Sequence, residues 1–332
     1  MTSILTNIAA MSALQTLRSI GSSMEDTQAR VSSGMRVGEA SDNAAYWSIA
    51  TTMKSDNMAL SAVSDALGLG ASKIDTAYAG MESAIDVVKE IKAKLVTATE
   101  EGVDKAKVQE EIAQLQQQLM SIAESASFSG ENWIAGGTDT ETAAADVTVV
   151  SGFVRDAGNN VSVKTTTYSL DATTAGGMTI LFGGDANGAI VETTGILGTV
   201  GSDWTTTTFT LPDGTTSTGA TTDVAGMSVY TLDITDFEND DMAEALTLVD
   251  AALANMTSAG ADLGSISMRI ELQEDFVNKL SDSLDSGVGR LVDADMNEES
   301  TRLKALQTQQ QLAVQSLSIA NSSSEVILSL FR

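Results

Sequence analysis

The chain has no cysteine and no histidine, and its 332 residues include a single proline, Pro212. Without cysteine there are no disulfides and no thiolate chemistry. With histidine also missing, Ser-His-Asp and Cys-His catalysis and nearly all zinc sites are excluded. Cations are scarce too: 18 Lys and Arg stand against 45 Asp and Glu, a formal charge of −27. Nucleic acid and anionic membrane surfaces need clustered Lys and Arg, so both are disfavoured as partners. Apolar runs extend only a few residues, far short of the roughly 20 that cross a bilayer, so no membrane insertion is expected. The segment from Met1 to Ile8 has neither a basic start nor an unbroken apolar stretch, so no cleavable secretory signal is expected. What is present suffices for folding. Apolar residues make up 42%, and the length allows two domains or more, kept soluble by the net charge. No cofactor is implied, and an enzyme is the least favoured class.

Periodicity carries most of the remaining information. Tyr46, Met53, Leu60, Leu67, Ile74, Met81, Val88 and Leu95 recur every seven positions. A row of mostly small residues runs three positions later, from Val63 and Gly70 to Ala98. Large residues facing small ones at this spacing describe one helix packed along another. Ser41-Asp42-Asn43 can cap its start, so a helix of roughly 80 Å is expected from Ala44 to about Ala98. Val108, Ile112, Leu115, Leu119 and Ile122 form a shorter a/d seam, and Glu101 to Asp104 supplies the reversal of an antiparallel hairpin. Glu90 with Lys94 and Glu101 with Lys105 are in the favourable i,i+4 order. Towards the C-terminus, Val249, Met256, Leu263, Ile270, Val277, Leu284 and Leu291 repeat the heptad. They place a long helix from about Met242 to Leu284 or beyond.

The centre, about Thr138 to Thr235, is rich in Thr and Gly and alternates with period two. Strands are expected at Met178–Phe182, Thr205–Leu211 and Tyr230–Ile234, with a turn at Pro212-Asp213-Gly214 and a bulge near Val229-Tyr230. The fold class is therefore mainly α, with a β-rich domain inserted between helical arms. At the N-terminal end, Ile4, Leu5, Ile8, Met11, Leu14 and Leu17 form an apolar stripe. At the C-terminal end Leu306, Leu312, Ala313, Leu317, Ile319, Ala320, Val326 and Ile327 precede Leu330 and Phe331. Isolated helices of this length are marginal without partners. Each segment either docks on its own chain or waits for another molecule, and the pattern leaves both open.

Residues 29–50, ARVSSGMRVGEASDNAAYWSIA, resemble a motif near the N-terminus of bacterial flagellins. In it a short helix ends at Ser33-Gly34, and a loop with Arg36, Ser41 and Asp42 leads through Ala44 and Ala45 into the long helix. Arg290 to Asp295, the Gln-rich stretch Gln307–Gln311 and the closing Leu328-Ser329-Leu330-Phe331-Arg332 are similar to the flagellin C-terminus. Phe128-Ser129-Gly130 resembles the family's Phe-Asn-Gly, with Ser for Asn. The resemblance covers both arms, about 70% of the chain, and the short middle with the Tyr46-Trp47 pair looks most like flagellins of soil alphaproteobacteria.

The resemblance implies a structural subunit that crosses the flagellar type III channel unfolded. Its terminal helices would then pair on assembly into an extracellular helical filament for motility. It implies a terminal-helix core at 1–40 and 292–332, coiled-coil arms at 41–137 and 237–291, and an outer β-rich domain at 138–236. It implies as partners other flagellin subunits, the filament cap, hook–filament junction proteins, an export chaperone and the export gate. Recognition by innate immune receptors of hosts would be weakened. The motif departs from the sensed pattern at Val37-Gly38-Glu39, Asn43 and Tyr46-Trp47, and the surroundings of Val88 to Ile91 lack an Arg-rich pattern. A hook–filament junction protein and a secreted coiled-coil adhesin are the alternatives.

Other motifs carry less. Asp293-Ala294-Asp295-Met296-Asn297 starts like a calcium loop, but Glu298 and Lys304 stand where Gly and Glu are required. Asp236, Glu238, Asp240 and Asp241 suit a helix start better than a cation site. Gly68 to Lys73 lacks phosphate-loop spacing and lies in the heptad row, as does Met256 of the Asn255-Met256-Thr257 sequon. The methionines are expected to fill cores.

Overall fold

The structure, a computed structural model, describes residues 7–136, 144–156, 158, 160–174, 177–185, 189–200, 208–210, 216–218, 224 and 226–330, the side chains of 208–210, 216–218 and 323–330 excepted. Five helices dominate: α1 (Ile8–Ser33), α2 (Ala44–Ala98), α3 (Lys105–Ser125), α4 (Asn239–Val292) and α5 (Met296–Leu330). Their ends follow from local chemistry. The Asn7 side chain accepts the Ala10 N–H at 3.1 Å, and Asn43 does the same for Tyr46 at 3.1 Å. Both satisfy a donor that the first helical turn leaves open. Asp241 accepts the Glu238 N–H at 2.9 Å, the returning half of a capping box, so the acidic run opens α4 as a helix start. Asp295 accepts from Asn297 at 2.9 Å at the head of α5, which gives the calcium-like segment a capping role.

Packing divides the chain into two units, Met1–Ala59 with Lys279–Arg332, and Leu60–Asn278. The expected boundaries at 138 and 236 both fall inside the second unit. There α3 runs antiparallel to α2, since Lys94 pairs with Glu111 while Gly80 lies against Ala126. α4 is antiparallel to α2 as well: Lys92 meets Asp250, and Ser267 donates to Asp75 at 3.1 Å. The facing heptad rows close into one core. Leu60, Leu67, Ile74, Met81 and Val88 of α2 are buried with Ile112 and Leu119 of α3 and Val249, Met256, Leu263, Ile270 and Val277 of α4. Full burial of such a side chain contributes about 1.5–3 kcal/mol.

Several expectations need correcting. Tyr46 is exposed, and Leu115 and Leu284 are only half-buried. The inner row of α3 includes Gln116 in place of Leu115, because its amide donates to the carbonyls of Val229 and Leu232 at 3.1 and 3.0 Å. Gln109 donates to Leu232 and accepts from Ile234. These bonds hold residues 229–234 in turns along α3, so the strand and bulge expected there are absent. Lys94 pairs directly with Glu111, with Glu90 adding a weaker charge attraction, while Lys105 donates to the Phe237 carbonyl in place of Glu101.

The strands among the described residues form four two-stranded antiparallel pairs. β1 (Ser127–Phe128) and β2 (Glu131–Asn132) are joined by Ser129 and Gly130, both at positive φ. The long ribbon pairs β3 (Ala145–Arg155) with β4 (Val161–Leu170), with a bulge between Val150 and Gly152. It crosses α2 at Gly70, where an added Cβ would fall 2.1 Å from Val149, so only glycine fits. The short pairs β5 (Gly183–Gly184) with β6 (Ile190–Val191), and β7 (Thr208–Thr210) with β8 (Thr216–Thr218), complete the set. Residues 178–182 make no regular strand, yet Met178, Ile180, Leu181 and Phe182 are buried, and Leu181 donates to the Ile134 carbonyl at 2.7 Å. The turn expected at Pro212 lies outside the described residues.

Candidate functional site: the paired terminal helices

α1 packs against α5. Asn7 Nδ2 donates to the Ala320 carbonyl at 2.9 Å, tying positions 313 residues apart in sequence. The seam is read from burial. On α1, Ala10, Ala13, Leu17, Ile20, Met24, Thr27 and Val31 are buried or half-buried, at alternating steps of three and four. On α5, Leu303, Leu306, Gln310, Ala313, Leu317 and Ala320 repeat that spacing. This is an a/d seam between two helices. Arg30 reaches the buried Glu299 at 3.5 Å at its inner end.

The sequence stripes therefore divide in two. Leu17, Leu306, Ala313, Leu317 and Ala320 lie in the seam. Ile8, Met11, Leu14, Leu312 and Ile319 do not: Ile8 is 69%, Leu312 64% and Ile319 69% exposed, and Val314 joins them. Ile4, Leu5 and Phe331 lie outside the described residues, as do the side chains of Val326, Ile327 and Leu330. Sequence reasoning missed Ala10, Ala13 and Ile20, which carry the seam. Their signal was the three-four alternation continuing past Leu17 into Met24 and Val31. The pairing answers the question that periodicity left open. The terminal helices dock on each other, and a second apolar face still looks outward.

The family loop fixes the root of this pair. Gly34 ends α1 at φ +73°, where glycine avoids a Cβ clash, and its N–H donates to Arg30 at 2.8 Å. Its carbonyl accepts from Ala294 at 2.9 Å, and Met35 bridges to Asp293. Arg36 and Val37 both donate backbone N–H groups to the Val292 carbonyl, at 2.6 and 3.2 Å. The Arg36 guanidinium donates to the Leu291 carbonyl at 3.1 Å, a cation on the last carbonyls of α4. Ser33 accepts the Met35 N–H, and Ser41 donates to Glu39. Asp42 accepts the N–H groups of Gly38 and Glu39 at 2.9 and 3.1 Å. The Glu39 and Gly38 N–H groups hold its carboxyl below the usual aspartate range. Ala44 and Ala45 form the exposed first turn of α2. Ala50, Val288 and Val292 make a small core beside Met35, Met53 and Leu291. The loop thus ties the end of α1 and the start of α2 to the junction between α4 and α5.

Among the described residues no cluster of three or more acidic side chains could hold a metal ion. No helix among them is long and apolar enough to cross a membrane. The arrangement suits association.

Comparison with known proteins agrees. Residues 4–139 match the bacterial flagellin N-terminal helical region, and residues 246–331 the bacterial flagellin C-terminal helical region. Flagellin B of Rhizobium meliloti is 55% identical over an alignment 407 positions long that covers 100% of both chains. Flagellin C of Rhizobium meliloti strain 1021 is 51% identical over 336 residues, and a flagellin of Brucella melitensis biotype 1 is 42% identical over 333, each again covering 100% of both chains. The matched regions contain α1, α2, α3, α5 and most of α4, and the chain belongs to the bacterial flagellin family, on its alphaproteobacterial side.

Proposed function

We propose that this chain is the structural subunit of the flagellar filament, that it polymerises through α1 and α5, and that it serves motility from outside the cell. Its role is mechanical, as in other flagellins, and no chemistry is assigned to it. The carrying observation is the exposed apolar face of the paired helices, Ile8, Met11 and Leu14 on α1 with Leu312 and Ile319 on α5. Buried between neighbouring subunits at about 25 cal/mol per Å², several hundred Å² would supply on the order of ten kcal/mol before ordering costs. Those costs, about 1–2 kcal/mol per residue, are set against this gain.

Passage through the flagellar type III channel in unfolded form belongs to this reading. Absence of cysteine and the single proline leave a chain without cross-links and with one slow-isomerising bond at most. The filament cap, hook–filament junction proteins, an export chaperone for the C-terminal helix and the export gate would be its partners on that route. Host innate receptors would meet a loop whose Val37-Gly38-Glu39 and Tyr46-Trp47 depart from the sensed pattern. The relatives bear the name flagellin, which favours the bulk subunit over a junction protein or an adhesin.

Seeded polymerisation tests the reading. Purified chain added to short filament seeds should raise light scattering and give tubes of uniform diameter by negative-stain microscopy. Deleting residues 1–20 or 312–332 should leave a folded, soluble monomer that does not elongate seeds. Filaments from either truncation would overturn the assignment of the terminal helices.

A further inference from the structure

In a chain without cysteine, methionine holds the only sulfur that a peroxide can oxidise. Met81, Met178, Met242 and Met256 are buried, where an oxidant does not reach them. Met11 is 55% exposed, and Met58, Met268 and Met296 are exposed as well. These four should react ahead of the buried ones.

Of the four, only Met11 stands on the outward apolar face of the terminal pair. Ile8, Met11 and Leu14 follow one another at three-residue steps, so they line one side of α1. No charged side chain precedes Arg18 in the sequence. Met58 lies on α2, Met268 on α4, and Met296 opens α5 at the root of the pair.

We propose that Met11 is a redox-sensitive modification site, whose oxidation by a peroxide bars the chain from the filament until it is reduced again. The inference rests on the filament reading. The sulfur lone pair takes one oxygen of hydrogen peroxide; the O–O bond breaks, the S–O bond forms, and the other oxygen leaves as water. Sulfur loses two electrons and the peroxide gains them. Reduction by two thiols reverses the change, giving a disulfide and water.

Oxidation turns an apolar side chain into one with a strong acceptor. On the monomer that oxygen stays in water at little cost. Burial at an apolar contact removes the water, and Ile8, Leu14, Leu312 and Ile319 have no side-chain donor to offer in exchange. The effect therefore falls on assembly and not on the fold. Once a chain is in the filament, Met11 is covered and protected.

Partition of the modified chain tests this. Full-length protein is treated with dilute hydrogen peroxide until Met11 is partly converted, then offered to seeds. Filament and supernatant are separated by sedimentation, and each methionine is quantified by peptide mass spectrometry. Met11 sulfoxide should be at least about fivefold depleted in the filament, while Met58 and Met268 sulfoxides divide evenly. The melting curve should match that of untreated chain, and methionine sulfoxide reductases A and B with a thiol should restore growth. Met11→Leu should elongate seeds before and after peroxide, whereas Met268→Leu should be as sensitive as wild type.

Untreated chain failing to elongate seeds would overturn the filament reading and the proposal with it. Growth with Met11 sulfoxide equal in both fractions would leave the filament reading standing and overturn the proposal alone. Exclusion of Met58 and Met268 sulfoxides alongside Met11, or loss of growth in peroxide-treated Met11→Leu, would also overturn it by placing the sensitive group elsewhere. If Met11→Leu grows poorly before treatment, partition in the wild-type chain decides.

Discussion

In the unit spanning Leu60–Asn278, the heptad rows of α2 and α4 meet and vanish from the surface: Leu67, Ile74, Met81 and Val88 are wholly buried. In the paired terminal helices the same period leaves Ile8, Leu312 and Ile319 mostly exposed. Hydrophobic pattern does not separate the regions, and the number of partners does. In the larger unit α2 is flanked by α3 on one side and α4 on another, so both of its apolar stripes are covered. Among the described residues α1 packs along α5, and two helices share one seam. A helix with two apolar stripes and one neighbour is complete only in company.

The largest test of that contrast pairs two truncations of the same side chain. Leu67→Ala removes a fully buried leucine and should destabilise the chain by about 2–5 kcal/mol, measured by denaturant unfolding. Leu312→Ala should change the stability of the monomer by less than about 0.5 kcal/mol, while seeded growth is strongly reduced. Equal stability losses would erase the contrast. Wild-type growth of Leu312→Ala would deny the outer face its role.

Gln116 sharpens the account of the third partner. Its buried amide donates to two carbonyls, and Gln116→Ala would leave both without that donor, at a cost of about 1–3 kcal/mol. An unchanged unfolding midpoint would mean that α3 covers α2 without help from the segment at 229–234. This position also marks where the sequence stopped being legible. The long helices, their antiparallel order and most of their core rows could be read, because a period sustained over seven repeats has few other meanings. The polar contacts could not, since a glutamine facing a loop carbonyl looks like one facing water. The centre failed for a related reason. The Tyr230–Ile234 alternation is real, but its backbone groups are taken by Gln109 and Gln116, so burial occurs without a strand. At the ends, the sequence showed apolar residues but not which of two faces each would join. Ala10, Ala13 and Ile20 went unread because small or isolated residues carry a seam only once the partner helix is known.

The two regions also hold carboxylates shifted the same way by different means. The Gly38 and Glu39 N–H groups keep Asp42 below its usual range, while Lys73, 2.7 Å away, does so for Glu131. A lowered folded value means that each stabilises the fold fully above the ordinary carboxylate value. Each loses that contribution as pH falls through its own folded value. Salt should separate them. Added sodium chloride screens the partly exposed Lys73–Glu131 pair, so an NMR titration should show Glu131 moving up towards its ordinary value. Asp42, held by backbone donors at contact distance, should stay where it is. Parallel movement of both would show that Asp42 responds to distant charge instead, with Arg30 the available source.

The smallest expected effect lies in the two-residue turn between β1 and β2. Ser129 stands at φ +55° and Gly130 at +86°, the geometry of a type I′ turn. Glycine meets the second position without strain, but serine at the first carries a Cβ into the left-handed region. Asparagine tolerates that region better, and the family segment that Phe128-Ser129-Gly130 resembles has it there. Ser129→Asn should therefore stabilise the chain by about 0.5 kcal/mol, seen as a higher denaturant midpoint at an unchanged slope. Seeded growth should not change, because the turn lies outside α1 and α5, the helices to which polymerisation is assigned. A lower midpoint would mean that the serine hydroxyl makes a contact worth more than the strain it relieves. Altered growth would place this turn among the surfaces that neighbouring copies share.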